Sequence, residues 1–516
     1  MGFSNLQIIL AIVSSLLILL SLILQFNKRF TGALIFLLLG AFSLFLSASL
    51  LDSFLNLWDE RFHALVAKNL MSHPLMPTLY DNPVVSMAYD RWDRSVIWLH
   101  KQPLFLWQIA FSFKLFGINE MALRFPSVCM STGLVFFAYR IGRLAINQRT
   151  GYVAALLTAT SYHLAELVSG RIEVDHNDVA FLFYVTASIW AWIEYLSSGK
   201  RYWIFLIGFF SGSAILCKWL VGLLVYAGWG LYNILVYRLA LRKYLSLLVS
   251  LLITLAVAIP WQILIYSWYP AETEHTMLYN ILHFTRVLEG HGGSFWYYAE
   301  TFGELFGKGV LYLIIPSIGA FIYRIENKPL GISLLSLPLL VYLFFSLAAT
   351  KMPSYPFVAA IPVFLFCAAG IDAGLTSLAR SSVPTFISLP IKVLLFIVLV
   401  NVNLQPARIN ETHCIDSQLN TYSLIQLQNK EIFRDLGMTQ PPHTVVFNVK
   451  GRHYVECMFY SGFPAYPFIP AEEQVNFLLT KGHHVAVFLK EGEQLPLYLT
   501  SSAEVTIIPT FLNGWD

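Results

Sequence analysis

Charge is scarce in this chain. Only 12% of its 516 residues are charged and 57% are hydrophobic, whereas a soluble globular protein carries about 25% charged residues. Most of the length therefore cannot present a surface to water. The net charge of +3 is too slight to draw a nucleic acid. Cysteine is sparse as well. Five residues with no CxxC pair signal neither a zinc site nor a thioredoxin-like motif. Cys129, Cys217 and Cys367 fall in apolar runs and are expected in the core. Cys414 and Cys457 lie near the C-terminus and could pair in an oxidising compartment. No basic stretch precedes the first apolar run and no small-residue cleavage site follows it, so that run is expected to stay as a span. Internal repeats and low-complexity tracts are lacking too.

Long apolar runs are abundant. They fall at about 7–26, 31–51, 121–143, 151–169, 177–197, 203–218, 220–238, 244–266, 305–323, 331–349, 355–374 and 388–405, each close to the roughly 20 residues that cross a bilayer. The expected fold is an all-α polytopic membrane domain of about twelve transmembrane helices over residues 1–405. The short loops carry Lys28/Arg29, Arg140/Arg143/Arg149, Lys200/Arg201, Arg238/Arg242/Lys243, Arg324/Lys328 and Arg380. With alternating spans these all share one side, which the positive-inside rule makes cytoplasmic. The outer side receives the loop 52–120, the turns after Arg171, Lys218 and Thr350, the loop 267–301, and everything past about 405. Pro103–Phe116 is apolar but short and is expected in the interface. Residues 406–516 change character. Thr444–Val449, Tyr454–Tyr460, His484–Leu489 and Glu504–Ile508 read as strands and Ala471–Thr480 as a helix, giving a small extracytoplasmic α/β domain.

The informative charges collect at the outer ends of spans. They are Asp59 and Glu60, Lys101, Arg171 with Asp175, Lys218, His291, and Lys351 with Tyr355. A charge within a span costs roughly 2.5–3.5 kcal/mol on insertion scales, so such residues persist where they face a cavity or a partner. Each also has a structural role open to it. Asp59 would cap the helix that Phe62, Leu65 and Val66 begin, with Glu60 in its first turn. Asp175 would cap a helix starting near Asn177. Lys218 and Lys351 would snorkel to the interface, and His291 would be an ordinary loop residue. Read together, cations suit a phosphate, carboxylates suit proton abstraction from a hydroxyl or amine, and an outer cavity suits a lipid-borne substrate. That is group transfer from a lipid phosphate. His63, His73 and His100 lack the close spacing of a zinc site, so no metal ligand set is assigned.

Trp58-Asp59-Glu60 resembles the first outer loop of the GT-C glycosyltransferases, in the branch of the aminoarabinose lipid A transferases and protein O-mannosyltransferases. Lys101-Gln102-Pro103-Leu104 resembles that branch's Lys-Pro-Pro-Leu. Leu123-Arg124-Phe125-Pro126-Ser127 resembles its next span. Arg171-Ile172-Glu173-Val174-Asp175 is similar to its Arg-x-x-x-Asp turn. Lys218, Phe295-Trp296-Tyr297-Tyr298 and Lys351-Met352-Pro353-Ser354-Tyr355 follow in the branch's order. The resemblance implies an inverting transfer from a polyprenyl-phosphate sugar to a lipid, glycan or protein acceptor, with no required cofactor. It implies Asp59 as general base and Asp175 as the second catalytic carboxylate. Glu60, His63, Lys101, Arg171, Lys218, His291, Lys351 and Tyr355 would then contact substrate. Gln102 in place of a proline, His100 in place of an acid and Phe62 in place of an arginine are departures where sugar and acceptor would lie. The competing readings are a lipid-linked glycan transporter, which predicts repeats and mid-span charges, and an O-antigen ligase or polymerase, which the histidines and arginine of 267–301 would suit.

Overall fold

The structure, a computed structural model, describes residues 3–512 apart from 88, 173, 239, 381–384, 415–420, 491 and 510–511. Glu173 and the side chain of Arg380, both used above, lie outside the described residues. Helices α1 (Asn5–Phe26) and α2 (Phe30–Ser49) form a hairpin. Small residues let them touch. Ser14 Oγ donates to the Gly40 carbonyl at 2.8 Å, and a Cβ on Gly40 would stand 2.8 Å from the Ile18 side chain. The outer loop follows, with α3 (Asp59–Leu70) and α4 (Leu104–Phe116). Next come α5 (Glu120–Ala145), α6 (Gln148–Ala159), α7 (Tyr162–Ser169), α8 (Asp175–Ser198), α9 (Tyr202–Lys218), α10 (Leu224–Tyr237), α11 (Leu245–Trp268) and α12 (Pro270–Thr285). Two short helices, α13 (Tyr297–Glu300) and α14 (Phe302–Phe306), lead into α15 (Lys308–Arg324), α16 (Lys328–Leu347), α17 (Ala360–Arg380) and α18 (Thr385–Leu404).

Among the described residues nine helical segments are long and apolar enough to cross a membrane, against the expected twelve. The chain is an integral membrane protein, and the difference has local causes. The run 151–169 breaks into α6 and α7 where Ser161 caps α7 through Leu164 N. The run 305–323 breaks at Gly307 (φ 87°), leaving α15 with 17 residues. Runs 203–218 and 220–238 form one uninterrupted helical stretch, Tyr202–Tyr237, but not one straight helix. Ser211 Oγ reaches the Gly222 carbonyl at 2.7 Å. Eleven residues of straight α-helix would separate them by about 16 Å. The chain doubles back at Trp219, whose φ is 64°. Cys217 and Cys367 are buried as expected, but Cys129 is exposed on the outside of α5.

The C-terminal part holds α19 (Pro406–His413), α20 (Thr421–Thr439), α21 (His453–Ser461), α22 (Glu472–Thr480) and α23 (Leu497–Thr500). Its sheet is parallel in the order β1 (Thr444–Phe447), β2 (His484–Phe488), β3 (Val505–Ile508), with Val445 opposite Val485 and Ala486 opposite Thr506. Tyr454–Tyr460, read as a strand, is helix α21. Its residues 453–459 are all buried, and a continuous buried run has no periodicity that separates strand from helix. The left-handed Gly462 that follows it is the mark of a helix end. Among the described residues no disulfide forms, and the Cys457 thiol lies beside Ser461.

This tail is bolted to the outer loop. Tyr460 and Tyr422 hydroxyls accept from the Leu55 and Leu57 amides at 2.9 and 2.8 Å. The Tyr466 hydroxyl accepts from Val84 and Val85 at 3.1 Å. Lys68 Nζ donates to the carbonyls of Met458 and Phe459. Tail and membrane part share one continuous hydrophobic core.

Candidate active site

The outer loop enters α3 through Trp58, the residue before the helix, at φ 67° and ψ −126°. A bulky residue there is strained. Asp59 is the first helical residue and caps nothing. Its carboxylate instead receives Lys101 Nζ at 2.8 Å. Burial, the largest single influence, would raise its pKa, but the Lys101 charge and hydrogen bond together with the neighbouring His63 and His100 outweigh it and hold it below the ordinary carboxylate range. Lys101 is raised in return: desolvation would lower it, but the Asp59 charge and hydrogen bond with the nearby Asp178 and Asp175 together outweigh it. The two therefore stand as an ion pair.

Glu60, one residue on, points the other way. Arg124 on α5 grips both its oxygens, at 2.7 and 3.0 Å. Asn56 N adds 2.6 Å and His176 Nε2 adds 3.2 Å. Neither Glu60 nor Arg124 has any exposed side-chain surface. Burial opposes the ionised form, yet the Arg124 charge and the hydrogen bonds hold Glu60 down at about 2. Gly170 is required for this packing. Its φ is +80°, and a Cβ there would lie 2.0 Å from Glu60 Oε1.

Asp175 opens α8 and is also turned inward. It accepts from His63 Nδ1 at 2.8 Å, with both side chains fully buried, and from the His176 amide. Arg171 stacks over Tyr422 of the tail at 3.9 Å and reaches Asp52 at 3.7 Å. Lys351 donates to the Ala348 carbonyl. Its own amide donates to the His291 carbonyl at 2.8 Å. Lys218 closes α9 and pairs with Asp178 at 2.5 Å, above the Tyr355 ring at 4.7 Å. Asp178 escaped the sequence reading. The available signal was an acid in the first turn of an apolar helix, facing a lysine at the end of the next.

A cavity of about 460 Å³ opens here. Of the residues selected from sequence, Asp59, Lys101, Lys218, His291 and Tyr355 line it. Glu60, His63, Arg171, Asp175 and Lys351 do not, and hold the wall from behind. Glu60, His63, Arg171 and Lys351, expected to contact substrate, and Asp175, expected as the second catalytic carboxylate, thus stand outside this lining, and among the described residues His63 Nε2 and Asp175 Oδ2 are buried with no hydrogen-bond partner. Asp175 pairs with His63 at 2.8 Å, and neither residue belongs to the cavity lining. The wall also contains residues that escaped the sequence reading, notably Trp92, Asn177 and Glu289. His100 stacks on Trp92 with ring centroids 4.4 Å apart. Burial, and then the neighbouring Lys101 charge, push its pKa well below the ordinary range, which keeps it neutral. Gln102, where the resemblance expects proline, is held by Gln262 Nε2 at 2.8 Å. Among the described residues no three His, Cys, Asp or Glu side chains are grouped as metal ligands. The wall can thus place an ionised carboxylate and two lysines against one substrate.

Residues 100–264 match the family of dolichyl-phosphate-mannose-protein mannosyltransferases. A Pseudomonas fluorescens undecaprenyl phosphate-alpha-4-amino-4-deoxy-L-arabinose arabinosyl transferase is 28% identical over 276 residues, covering 50% of this chain and 47% of the relative. A putative mannosyltransferase of Bacillus subtilis is 24% identical, covering 47% of this chain and 33% of the relative. The chain spans less than half the length of the curated relatives it matches, 31% for an uncharacterised Aquifex aeolicus protein. Among solved structures, ArnT from Cupriavidus metallidurans bound to undecaprenyl phosphate superposes with a TM-score of 0.61 at 14% identity, over 92% of this chain and 90% of that one. The oligosaccharyltransferase AglB from Archaeoglobus fulgidus, in complex with an inhibitory peptide and a dolichol-phosphate, gives 0.56 at 11% identity, over 84% and 64%. The chain has the fold of these structures, and it resembles the GT-C branch of the aminoarabinose and protein O-mannosyl transferases, as its short motifs indicated.

Proposed function

We propose that the chain is an inverting glycosyltransferase that moves a sugar from a polyprenyl-phosphate donor to an acceptor at the outer face of a bacterial plasma membrane. The observation that carries this reading is the Asp59–Lys101 ion pair at 2.8 Å in the cavity wall. Asp59 takes the proton of the acceptor hydroxyl or amine. The acceptor atom bonds to the anomeric carbon as the bond from that carbon to the phosphate oxygen breaks, and the electron pair leaves with the phosphate. Lys101 and Lys218 meet the charge that grows there, within reach of preorganised partners. Asp178 and Tyr355 hold Lys218 for that task. The acceptor is a lipid, glycan or protein, and no metal or cofactor is part of the step. The basic short loops put the cavity and the tail on the extracytoplasmic side.

The test is transfer by the full chain in vesicles carrying polyprenyl-phosphate sugars, with lipid A, other glycolipids and surface proteins as acceptors. Mass spectrometry should find a glycosyl increment in one acceptor class, absent with Asp59→Asn. Normal turnover by Asp59→Asn would remove Asp59 from the base role. Flipping of lipid-linked sugar with no transfer would replace the enzyme by a transporter.

A further inference from the structure

Glu289 is the cavity wall's second carboxylate besides Asp59, and the chemistry above does not use it. Its side chain lines the cavity and is exposed. Among the described residues no lysine or arginine forms an ion pair with it. Instead the indole N–H of Trp92, from the first outer loop, donates to its Oε1 at 2.8 Å. The two loops thus meet across the cavity mouth through this contact, with His100 against Tyr279 and Tyr89 against His275 beside it. The backbone is set with equal care. Glu289 has φ 53° and Gly290 φ 79°, a left-handed pair that is costly for the glutamate. The buried turn at Thr350 brackets it from both sides. Leu288 N donates to Thr350 Oγ1 at 3.1 Å, and Lys351 N donates to the His291 carbonyl at 2.8 Å.

An acidic group here would repel a phosphate, and the lysines already mark where the phosphate goes. It must face a part of the substrate that donates hydrogen bonds. Trp92 and Tyr279 orient the carboxylate, which stays exposed toward the cavity. The Trp58 ring lies on the same wall and is 39% exposed, with Arg452 of the tail behind it at 4.6 Å. A flat ring beside an oriented carboxylate is the pairing that a sugar fits, its C–H face on the ring and its hydroxyls on the oxygens.

We infer that Glu289, oriented by Trp92, binds hydroxyl groups of the donor's sugar ring, with Trp58 as the ring's platform. This rests on the polyprenyl-phosphate reading and refines it. The full chain in nanodiscs is titrated with bare undecaprenyl phosphate, its mannosyl derivative and its 4-amino-4-deoxy-L-arabinosyl derivative. Glu289→Gln should lose about 10- to 100-fold in affinity for a sugar-bearing lipid and bind the bare lipid as the wild type does, since only a charged hydrogen-bond acceptor is removed. Trp92→Phe keeps a ring and deletes the N–H, and should show a smaller loss of the same pattern. An equal loss for bare and sugar-bearing lipids overturns the inference, because Glu289 would then serve the phosphate or the fold. Unchanged affinity for every lipid also overturns it. A loss with the amino sugar alone, while the mannosyl lipid binds as in wild type, replaces hydroxyls by an ammonium group. Failure of the wild type to bind any of the three lipids removes the polyprenyl-phosphate reading instead.

Discussion

Asp59 and Glu60 are neighbours in sequence and opposites in setting. Asp59 sits in a cavity wall with one lysine partner and part of its surface open. Glu60 sits in a dry shell with Arg124, Asn56 and His176 around it. The same division runs through the rest of the outer face. Asp178–Lys218 is an open pair in the cavity region, with 7% and 23% of the side chains exposed. His63–Asp175 is a closed pair behind it. The difference teaches what each charge is for. Glu60 has both oxygens taken by Arg124, Asn56 and His176, and breaking that set leaves a buried charge. An open pair can exchange its partner for a substrate. Positive φ values occur at Trp58 and Trp219, beside Asp59 and Lys218, and at Asp175 itself (φ 22°), so the backbone is set specially on both sides of the division.

The largest expected effect that would sharpen this contrast is on turnover. Asp59→Asn should lower kcat by about 10²- to 10⁴-fold, the usual contribution of a general base, with unchanged folded yield in detergent. Glu60→Gln should do the reverse. It strands the Arg124 charge in the interior and should cost about 3–5 kcal/mol of stability, read as a fall in the thermal unfolding midpoint. Activity per folded molecule should fall far less than for Asp59→Asn. An active, fully stable Glu60→Gln protein would break the contrast.

Two smaller effects follow from the closed shell and its tail. Glu60 has an ordinary pKa of 4.5 and a folded value of about 2. The fold therefore favours the ionised form. Its stabilisation is complete above pH 4.5 and fades as pH falls toward 2, so the unfolding midpoint should drop across that window and drop less in Glu60→Gln. Arg452→Gln removes the cation from the back of Trp58 and should cost about 0.5–1 kcal/mol, with the tail still docked by limited proteolysis.

Much of this was legible in the sequence, for physical reasons. Apolar length marks most spans, though two of the twelve expected runs fall short and two form one stretch, and basic loops predict their direction. A charge at a span end has to be explained, which is why Asp59, Lys101 and Lys218 stood out. Other features depend on distant partners. The sequence separates Glu60 from the proposed base Asp59 as a residue that orients loop or donor, but nothing near it announces Arg124 or His176, the partners that bury it. Asp178 becomes visible only once α9 turns back at Trp219 and brings Lys218 over it. Glu289 lay in a loop whose histidines drew attention, and its meaning comes from Trp92 across the cavity mouth. Helix α21 was misread because the tail packs its residues 453–459 away from water, which erases the polar face that marks a helix.

The most direct measurement is a single-turnover transfer assay on Asp59→Asn and Glu60→Gln side by side, each normalised to its folded fraction. The expected result is a folded, inactive Asp59→Asn protein and a fragile but competent Glu60→Gln protein. A competent Asp59→Asn protein beside an inactive but stable Glu60→Gln protein would contradict the division of labour between the two carboxylates.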